Sequence, residues 1–143
     1  MKTISKPQLD TQGILAYDVP GFIPRLMKKL GISEAEANRR FTETKKFLAV
    51  CSLETCSPSD EIDEVWHLFI LHTAAYQQFC LKFLGCFIHH NPTETPSIAN
   101  RSRMVPMAAA LFGSVEANLW PREGITACSG GGTDGDNYCD GHK

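Results

Sequence analysis

Apolar residues recur along the first half of the chain at intervals of three and four, the spacing of one helical face. The first set is Phe22, Leu26 and Leu30. Gly31 follows it as a natural helix stop, and Ser33 with Glu36 then forms a capping box that opens a second helix. The stripe of this second helix is Ala37, Phe41, Thr44, Leu48 and Cys51. The charged residues that fall mostly off the stripe are Arg39, Arg40, Glu43 and Lys46.

The longest stripe of the chain alternates steps of four and three throughout. It consists of Ile62, Trp66, Phe69, Thr73, Tyr76, Cys80 and Phe83. Ahead of it, Ser57 and Asp60 form a second capping box, with Pro58 at the first helical position. We therefore predict one continuous helix over 58–84, about 40 Å long, with other helices packed on more than one of its sides.

The two ends of the chain lack this periodicity. Residues 1–19 are predicted to form an extended arm, and the Gly-rich residues 122–143 a flexible tail. A further helix is predicted from about Arg101 to Leu119. The sequence thus predicts an all-α fold in a single domain over 1–121: a bundle of about four main helices around the long central helix.

Composition narrows the class of partner and the compartment. The chain has 143 residues and a net charge of -2 without a basic cluster, which argues against nucleic acid or an anionic membrane as partner. The N-terminal stretch "MKTISKPQLDTQG" lacks the apolar core of a secretion signal, and no apolar run has the length of a membrane span. We predict a cytoplasmic protein, in which the six cysteines are thiols or metal ligands before they are disulfides.

The cysteines show no close C-x2-C pair of the kind found in zinc ribbons. Reversible bridging of Cys51 with Cys56 stays open, as does pairing of Cys128 with Cys139, although free thiols are favoured for every pair. Cys56 lies just before the cap of the predicted long helix, where a thiolate would be stabilised. A thiol-redox protein that uses Cys51 and Cys56 is therefore one functional hypothesis.

The stretch "DEVWHLFILHTAAYQQFC", residues 63–80, suggests a metal site. Asp63 and His67 are four residues apart and share a helical face, so they can bind one ion. The pair His89-His90 follows the helix, and a chain reversal would return it toward the last helical turns, although not as far as His67 without further folding of the loop. The predicted ligands are Asp63, His67 and His90, with Cys80 or His89 as a fourth. Nitrogen and oxygen ligands suit Zn or Fe.

The alternative interpretation of the same stretch is structural. Trp66 and Tyr76 are then core residues with hydrogen-bonded polar tips, Cys80 is a small apolar residue, and His67 is a hydrogen-bonded structural residue. The protein would be a non-catalytic interaction or scaffold module with a protein partner. No general base or nucleophile is identifiable, so enzymatic activity is left open.

The segment 44–92 also carries the motifs D-x-x-W-H, T-x-x-Y, F-C and F-x-H-x-P. Their residues are Asp63, Trp66, His67, Thr73, Tyr76, Phe79, Cys80, Phe87, His90 and Pro92. In these motifs the chain resembles the glycine-rich domain-containing protein-like family over residues 20–121. The resemblance implies an α-helical domain and no particular reaction. Phe69 stands where that family often has a second His, which favours a structural role for Trp66 and His67.

Overall fold

Helices make up most of the chain in the computed structural model, which describes residues 9–54, 56–90, 101–121 and 138–139. The α-helices in these ranges are α1 (Thr11–Ala16), α2 (Phe22–Leu30), α3 (Glu34–Cys51), α4 (Asp60–Leu71), α5 (Thr73–Phe79) and α6 (Arg101–Phe112). The other elements are a π-helical turn (Cys80–Leu84), a 3-10 turn (Ala117–Leu119) and the two-residue strands β1 (Ile88–His89) and β2 (Tyr138–Cys139). The predicted all-α class is confirmed. Within these ranges no helix combines the length and the apolar character needed to cross a membrane.

Helix α3 is the centre of the fold, because it packs against α1, α2, α4 and α6. The five positions predicted for its inner face are all buried. Its charged residues Glu43, Lys45 and Lys46 are buried as well. With neighbours on several sides, the C-terminal half of α3 has no face left to solvent, so the prediction that Glu43 and Lys46 lie off the buried face is wrong.

The helix predicted over 58–84 is interrupted at His72, so the prediction of one long central helix is wrong. His72 has φ −87° and ψ 68°, outside the helical region, and stands between α4 and α5. Its N–H donates to the Phe69 carbonyl at 2.9 Å, and its own carbonyl accepts from the Tyr76 N–H at 2.8 Å. The ring packs edge-on against Phe22 with 5.2 Å between centroids. This tertiary contact accompanies a break that no Gly or Pro marks in the sequence.

The N-terminal arm over 1–19 was predicted to be extended, but it is not extended throughout, because α1 lies within it. The Asp10 side chain accepts from the Gly13 N–H at 3.0 Å and so caps this helix. At six residues α1 is shorter than two turns, too short to show a helical period in the sequence. The part of the predicted arm before residue 9 lies outside the described residues.

Lys45 is a buried lysine that fastens the end of α1 to α3. Its Nζ donates to the carbonyls of Leu15 and Tyr17, each at 2.8 Å, and lies 4.6 Å from the centre of the Phe41 ring. Burial lowers the pKa of Lys45 to about 8, and the Asp18 carboxylate opposes this shift. Lys45 therefore loses its proton more readily in the folded protein than in the unfolded chain.

This lowered pKa predicts that Lys45 stabilises the fold more at alkaline pH. Between about 8, the folded pKa, and 10.5, the ordinary value, the unfolded state binds more protons, so the free energy of unfolding rises with pH. We expect the difference in unfolding free energy between wild type and Lys45→Met to move in favour of wild type by up to about 3 kcal/mol across this window. Denaturant titrations at several pH values measure it. A pH-independent difference would contradict the lowered pKa.

The last described helix is shorter than predicted. Helix α6 ends at Phe112, and the next residue, Gly113, has a φ of 90° in the left-handed region that glycine adopts without strain. The separate 3-10 turn follows, so the helix predicted over 101–119 exists as two pieces. Leu119 and Trp120, at the end of the second piece, are buried in the core.

Part of the predicted flexible tail forms a strand. Strand β2 pairs antiparallel with β1, with Cys139 opposite Ile88. The prediction of a flexible segment over 122–143 is thus wrong at these two residues, because their backbone is paired with the domain. The remaining positions of the tail, 122–137 and 140–143, lie outside the described residues.

Candidate metal centre

Helix α4 carries the first two candidate ligands. It begins after Ser59, whose hydroxyl accepts from the Ile62 N–H at 3.2 Å. The predicted cap at Ser57 is wrong, because Ser59 offers the same group two residues later and its hydroxyl is the one that reaches the first turn. Asp63 and His67 lie on adjacent turns, with 3.6 Å between Asp63 Oδ2 and His67 Nδ1. Their spacing of four residues places them on one face, as predicted.

The third candidate ligand comes from the chain beyond α5. After the π-helical turn, Gly85 adopts a left-handed φ of 76° and the chain turns into β1. The Tyr76 hydroxyl holds this strand: it donates to the Ile88 carbonyl at 2.7 Å and accepts from Trp66 Nε1 at 2.9 Å. His90 follows β1 directly and is therefore carried back to α4.

Asp63, His67 and His90 form one cluster. One ligand atom of each lies within 4.8 Å of the other two, and His90 Nε2 is 2.8 Å from Asp63 Oδ1. The side chains of His90 and Asp63 are 6% and 12% exposed, whereas that of His67 is 50% exposed. The chain reversal was predicted to stop short of His67 unless the loop folded further. The break at His72, which separates α4 from α5, was not part of that prediction, and the folded chain places His90 beside His67.

His90 stacks on two neighbouring rings of α4. The Trp66 ring is 4.1 Å away between centroids at 7°, and the His67 ring 4.5 Å away at 21°. A metal ion bound by an imidazole nitrogen lies close to the plane of that ring, so two nearly parallel rings cannot both point at one ion. One ring has to turn before both can bind. His67 has the room to do so, because half of its side chain faces solvent.

The donor set is two imidazole nitrogens and one carboxylate, which suits Zn or Fe better than Ca. Bonds of about 2.1 Å place the ligand atoms of one ion about 3–3.5 Å apart. The distances from Asp63 to His67 and His90, 3.6 Å and 2.8 Å, are near this range. Three protein ligands leave at least one coordination position for water or another molecule.

The two residues predicted as alternative fourth ligands do not belong to this cluster. His89 packs against the Phe87 ring, 5.0 Å away between centroids. Cys80 is fully buried, and burial raises the pKa of its thiol to about 11, although the neighbouring Ile88 backbone and Tyr76 side chain oppose the shift. Its thiol is therefore held in the neutral form, which is a poor metal ligand.

The described cysteines divide into free thiols and one disulfide. Cys51, Cys56 and Cys80 are buried thiols that form no disulfide, as predicted. Cys86 is disulfide-bonded, so the prediction of a free thiol there is wrong, and its partner lies outside the described side chains. Cys128 and Cys139, whose pairing the sequence leaves open, also have side chains outside them. Burial, together with a hydrogen bond to Cys56, raises the pKa of Cys51 well above its usual value, which disfavours a reactive thiolate at the predicted redox pair.

A second polar cluster, around Glu43, has no signal in the sequence. The buried Glu43 carboxylate pairs with Lys46 Nζ at 2.9 Å and accepts from Trp120 Nε1 and the Glu116 N–H, both at 2.9 Å. Lys46 also donates to the Ser114 carbonyl at 2.8 Å. These bonds fasten the segment after α6 to α3. Helical spacing places Glu43 off the apolar stripe, and its partner indole is 77 residues away.

A groove of about 550 Å³ opens beside the Glu43 cluster. Its lining residues are Ala35, Asn38, Arg39, Thr42, Glu43, Lys46, Ser114, Val115 and Glu116. The cations in this lining are already paired: Lys46 with Glu43, and Arg39 with Glu36 and Glu116. The groove therefore offers a ligand no unpaired charge, and the Asp63 cluster remains the candidate site.

One protein-family model, described as UCP032817-like, matches residues 14–105, which is more than half of the chain and includes the whole Asp63 cluster. No curated protein and no solved structure matches the chain. Nothing in these comparisons indicates the glycine-rich domain-containing protein-like family, so the resemblance to it is wrong. A few motif positions carried that resemblance, and a match across most of the helical domain outweighs them.

Proposed function

The chain belongs to the UCP032817-like family, and because this membership names no activity, we propose from geometry that the protein binds one transition-metal ion. Asp63, His67 and His90 are the ligands, and Zn or Fe is the ion. The supporting observation is the convergence of three ligand-type side chains, of which His90 lies 27 residues from Asp63 in sequence. In the part of the chain that the structure describes, no other such group is found.

Binding follows a defined order of side-chain movement in this proposal. His90 and Asp63 are buried and in contact, so they form the fixed part of the site. His67 turns out of its stack on His90 and completes the ligand set from the solvent side. The remaining coordination positions face the same side, where water or a small ligand can enter. The proposal names no reaction, because it identifies no nucleophile or general base beside the cluster.

The cytoplasmic location predicted from the sequence remains a prediction. The disulfide at Cys86 counts against it, because reducing compartments keep thiols reduced. A location with access to an oxidant, or an oxidising phase in the life of the protein, fits the disulfide.

Elemental analysis by mass spectrometry tests the metal proposal on untagged protein. We expect about one Zn or Fe per chain in wild type and its loss in His67→Ala, with the helical circular dichroism unchanged because His67 is half exposed. His89→Ala is the matched control: it removes a neighbouring imidazole outside the cluster and should retain the metal. Wild type that stays metal-free after incubation with Zn²⁺ and with Fe²⁺ would overturn the proposal.

A second candidate is a non-catalytic interaction module in which the cluster is structural. The near-parallel stack of Trp66 on His90 favours it, as does the buried bond from Trp66 to Tyr76. Here the contact between His90 and Asp63 holds β1 on α4, and the function lies in a protein partner. The same elemental analysis separates the candidates: this one requires no metal in wild type and a lower melting temperature for His90→Ala.

A further inference from the structure

Buried contacts fix the position of His90 before any ion is bound. Its ring lies against the Trp66 indole, with 4.1 Å between centroids and 7° between the ring planes. Trp66 is fully buried, so its indole offers His90 a rigid surface that sets the plane of the imidazole. With the ring held there, His90 Nε2 lies 2.8 Å from Asp63 Oδ1. The indole is therefore a restraint on the ring of this ligand.

A second restraint acts on the main chain, two residues before His90. The Tyr76 hydroxyl donates to the Ile88 carbonyl at 2.7 Å, and Ile88 is fully buried. The same hydroxyl accepts from Trp66 Nε1 at 2.9 Å, so the indole that stacks on His90 also holds the hydroxyl. Burial raises the pKa of Tyr76 above its ordinary value, so the hydroxyl keeps its proton and remains a donor.

The ring of Tyr76 is itself held in place. Phe69 and Phe87 pack edge-on against it, with 5.1 Å and 5.4 Å between centroids. A hydroxyl on a ring packed in this way has little freedom to follow a moving acceptor. The chain of hydrogen bonds from Trp66 Nε1 through the Tyr76 hydroxyl to the Ile88 carbonyl therefore joins α4 and α5 rigidly to β1.

We propose that Tyr76 is a positioning residue of the metal centre: its hydroxyl fixes where β1 presents His90 to Asp63 and thereby sets the metal affinity. This inference rests on the proposed metal-binding function. A ligand that is already ordered adds no ordering cost when the ion binds. Without the hydroxyl, the Ile88 carbonyl loses this donor and β1 samples more positions. Ordering His90 then opposes binding, and the affinity falls.

Co²⁺ titration of the metal-free protein tests this role with Tyr76→Phe, which removes the hydroxyl and keeps the packed ring. Co²⁺ binds at nitrogen and oxygen sites, and its visible absorption reports the ligands. We expect about tenfold weaker binding than in wild type, because groups that orient a metal ligand typically contribute 10–100-fold to affinity. The absorption spectrum at saturation should match that of wild type, because Asp63, His67 and His90 are all still present.

Tyr17→Phe is the matched control, because it also removes a tyrosine hydroxyl that bonds a backbone carbonyl of α5. That carbonyl belongs to Ala75, at 3.0 Å, and the other partner of the hydroxyl, Gln78, lies on α5 as well. The control should lose stability, as Tyr76→Phe does, and bind Co²⁺ as wild type does. Denaturant unfolding measures both losses of stability, and circular dichroism checks that each variant is folded during the titration.

Each outcome decides. Wild-type affinity in Tyr76→Phe overturns the positioning role and leaves the metal site standing. Equal losses of affinity in Tyr76→Phe and Tyr17→Phe also overturn it, because the cause would then be a general loosening of α5. A changed spectrum at saturation overturns it as well, since the set of ligands would have changed. Failure of wild type to bind Co²⁺ overturns the metal-binding function and the positioning role together.

Trp66→Phe is a second variant on the same chain of hydrogen bonds. It removes the N–H group that holds the Tyr76 hydroxyl and keeps an aromatic ring beside His90, so it should weaken Co²⁺ binding by a smaller factor. If Tyr76→Phe does not fold, this variant decides alone, and wild-type affinity in it overturns the positioning role.

Discussion

Replacing Trp66 with alanine is expected to lower the free energy of unfolding by about 3–5 kcal/mol. Trp66 is fully buried, and its ring stacks on His90 and packs edge-on against Phe47 with 5.5 Å between centroids. Truncation leaves a cavity that α3, α4 and the segment after β1 cannot all move to fill. It also removes the donor to the Tyr76 hydroxyl. Denaturant unfolding measures the loss.

Trp66→Phe distinguishes the contribution of the aromatic ring to stability from that of the indole N–H. Phenylalanine keeps an aromatic ring in the core and removes the bond to the Tyr76 hydroxyl, which still donates to the Ile88 carbonyl. The expected loss is therefore smaller, on the order of 1 kcal/mol for the hydrogen bond plus a modest packing term. Equal losses in the two variants would contradict the view that ring packing dominates. A loss below about 1 kcal/mol in Trp66→Ala would contradict its burial.

Glu43→Ala is expected to lower the free energy of unfolding by a similar amount, about 3–5 kcal/mol, because it leaves a buried charge unpaired. The Lys46 side chain is 9% exposed and would keep a buried positive charge without its counter-ion. Trp120 Nε1 and the Glu116 N–H would lose the oxygen that accepts from both of them. The segment after α6 should therefore loosen from α3. Denaturant unfolding gives the cost, and the fluorescence of Trp120, read in a Trp66→Phe background because the chain has two tryptophans, reports the loosening.

A double variant tests whether the buried charge causes this loss. Glu43→Leu with Lys46→Met removes both charges and keeps the volume, so it should be more stable than Glu43→Ala, although the two N–H groups still lack an acceptor. Glu36→Ala is the matched control on the same helix: its pairs with Arg39 and Arg40 are partly exposed, and each should contribute at most about 1 kcal/mol. If the double variant is less stable than Glu43→Ala, the buried charge is not the cause.

The features of the fold that local sequence determines were predicted well. Gly31 ends α2 in a left-handed conformation, and Ser33 caps α3 through the Glu36 N–H at 3.1 Å. The periodic stripe of α3 is buried as expected. Helix spacing and caps depend on residues three or four apart, so one sequence carries enough information to place them.

Tertiary contacts account for the features that were not predicted. The break at His72 accompanies packing on Phe22, which is 50 residues earlier and has no local signature. Burial of Glu43 depends on Trp120, far along the chain. The apolar periodicity continues across the break because α5 also turns its apolar side toward the core. The pattern of two helices therefore looked like that of one long helix.

The residues of the candidate site could be named from the sequence, but their arrangement in space could not. Asp63 and His67 could be paired from their spacing alone, since one helix carries both. His90 was predicted as a ligand although the sequence did not show how the chain brings it to the other two. Its route depends on the turn at Gly85 and on the Tyr76 hydroxyl, two features that only the folded chain brings together.

The break at His72 also bears on the order of events in folding. Asp63 and His67 are on adjacent turns as soon as α4 is helical, whereas the contact with His90 closes a loop of 27 residues. Closing that loop costs conformational entropy, and docking of α5 on α4 and burial of Ile88 must offset it. The cluster is therefore a late product of folding. Amide hydrogens of β1 should gain protection from exchange later than those of α3.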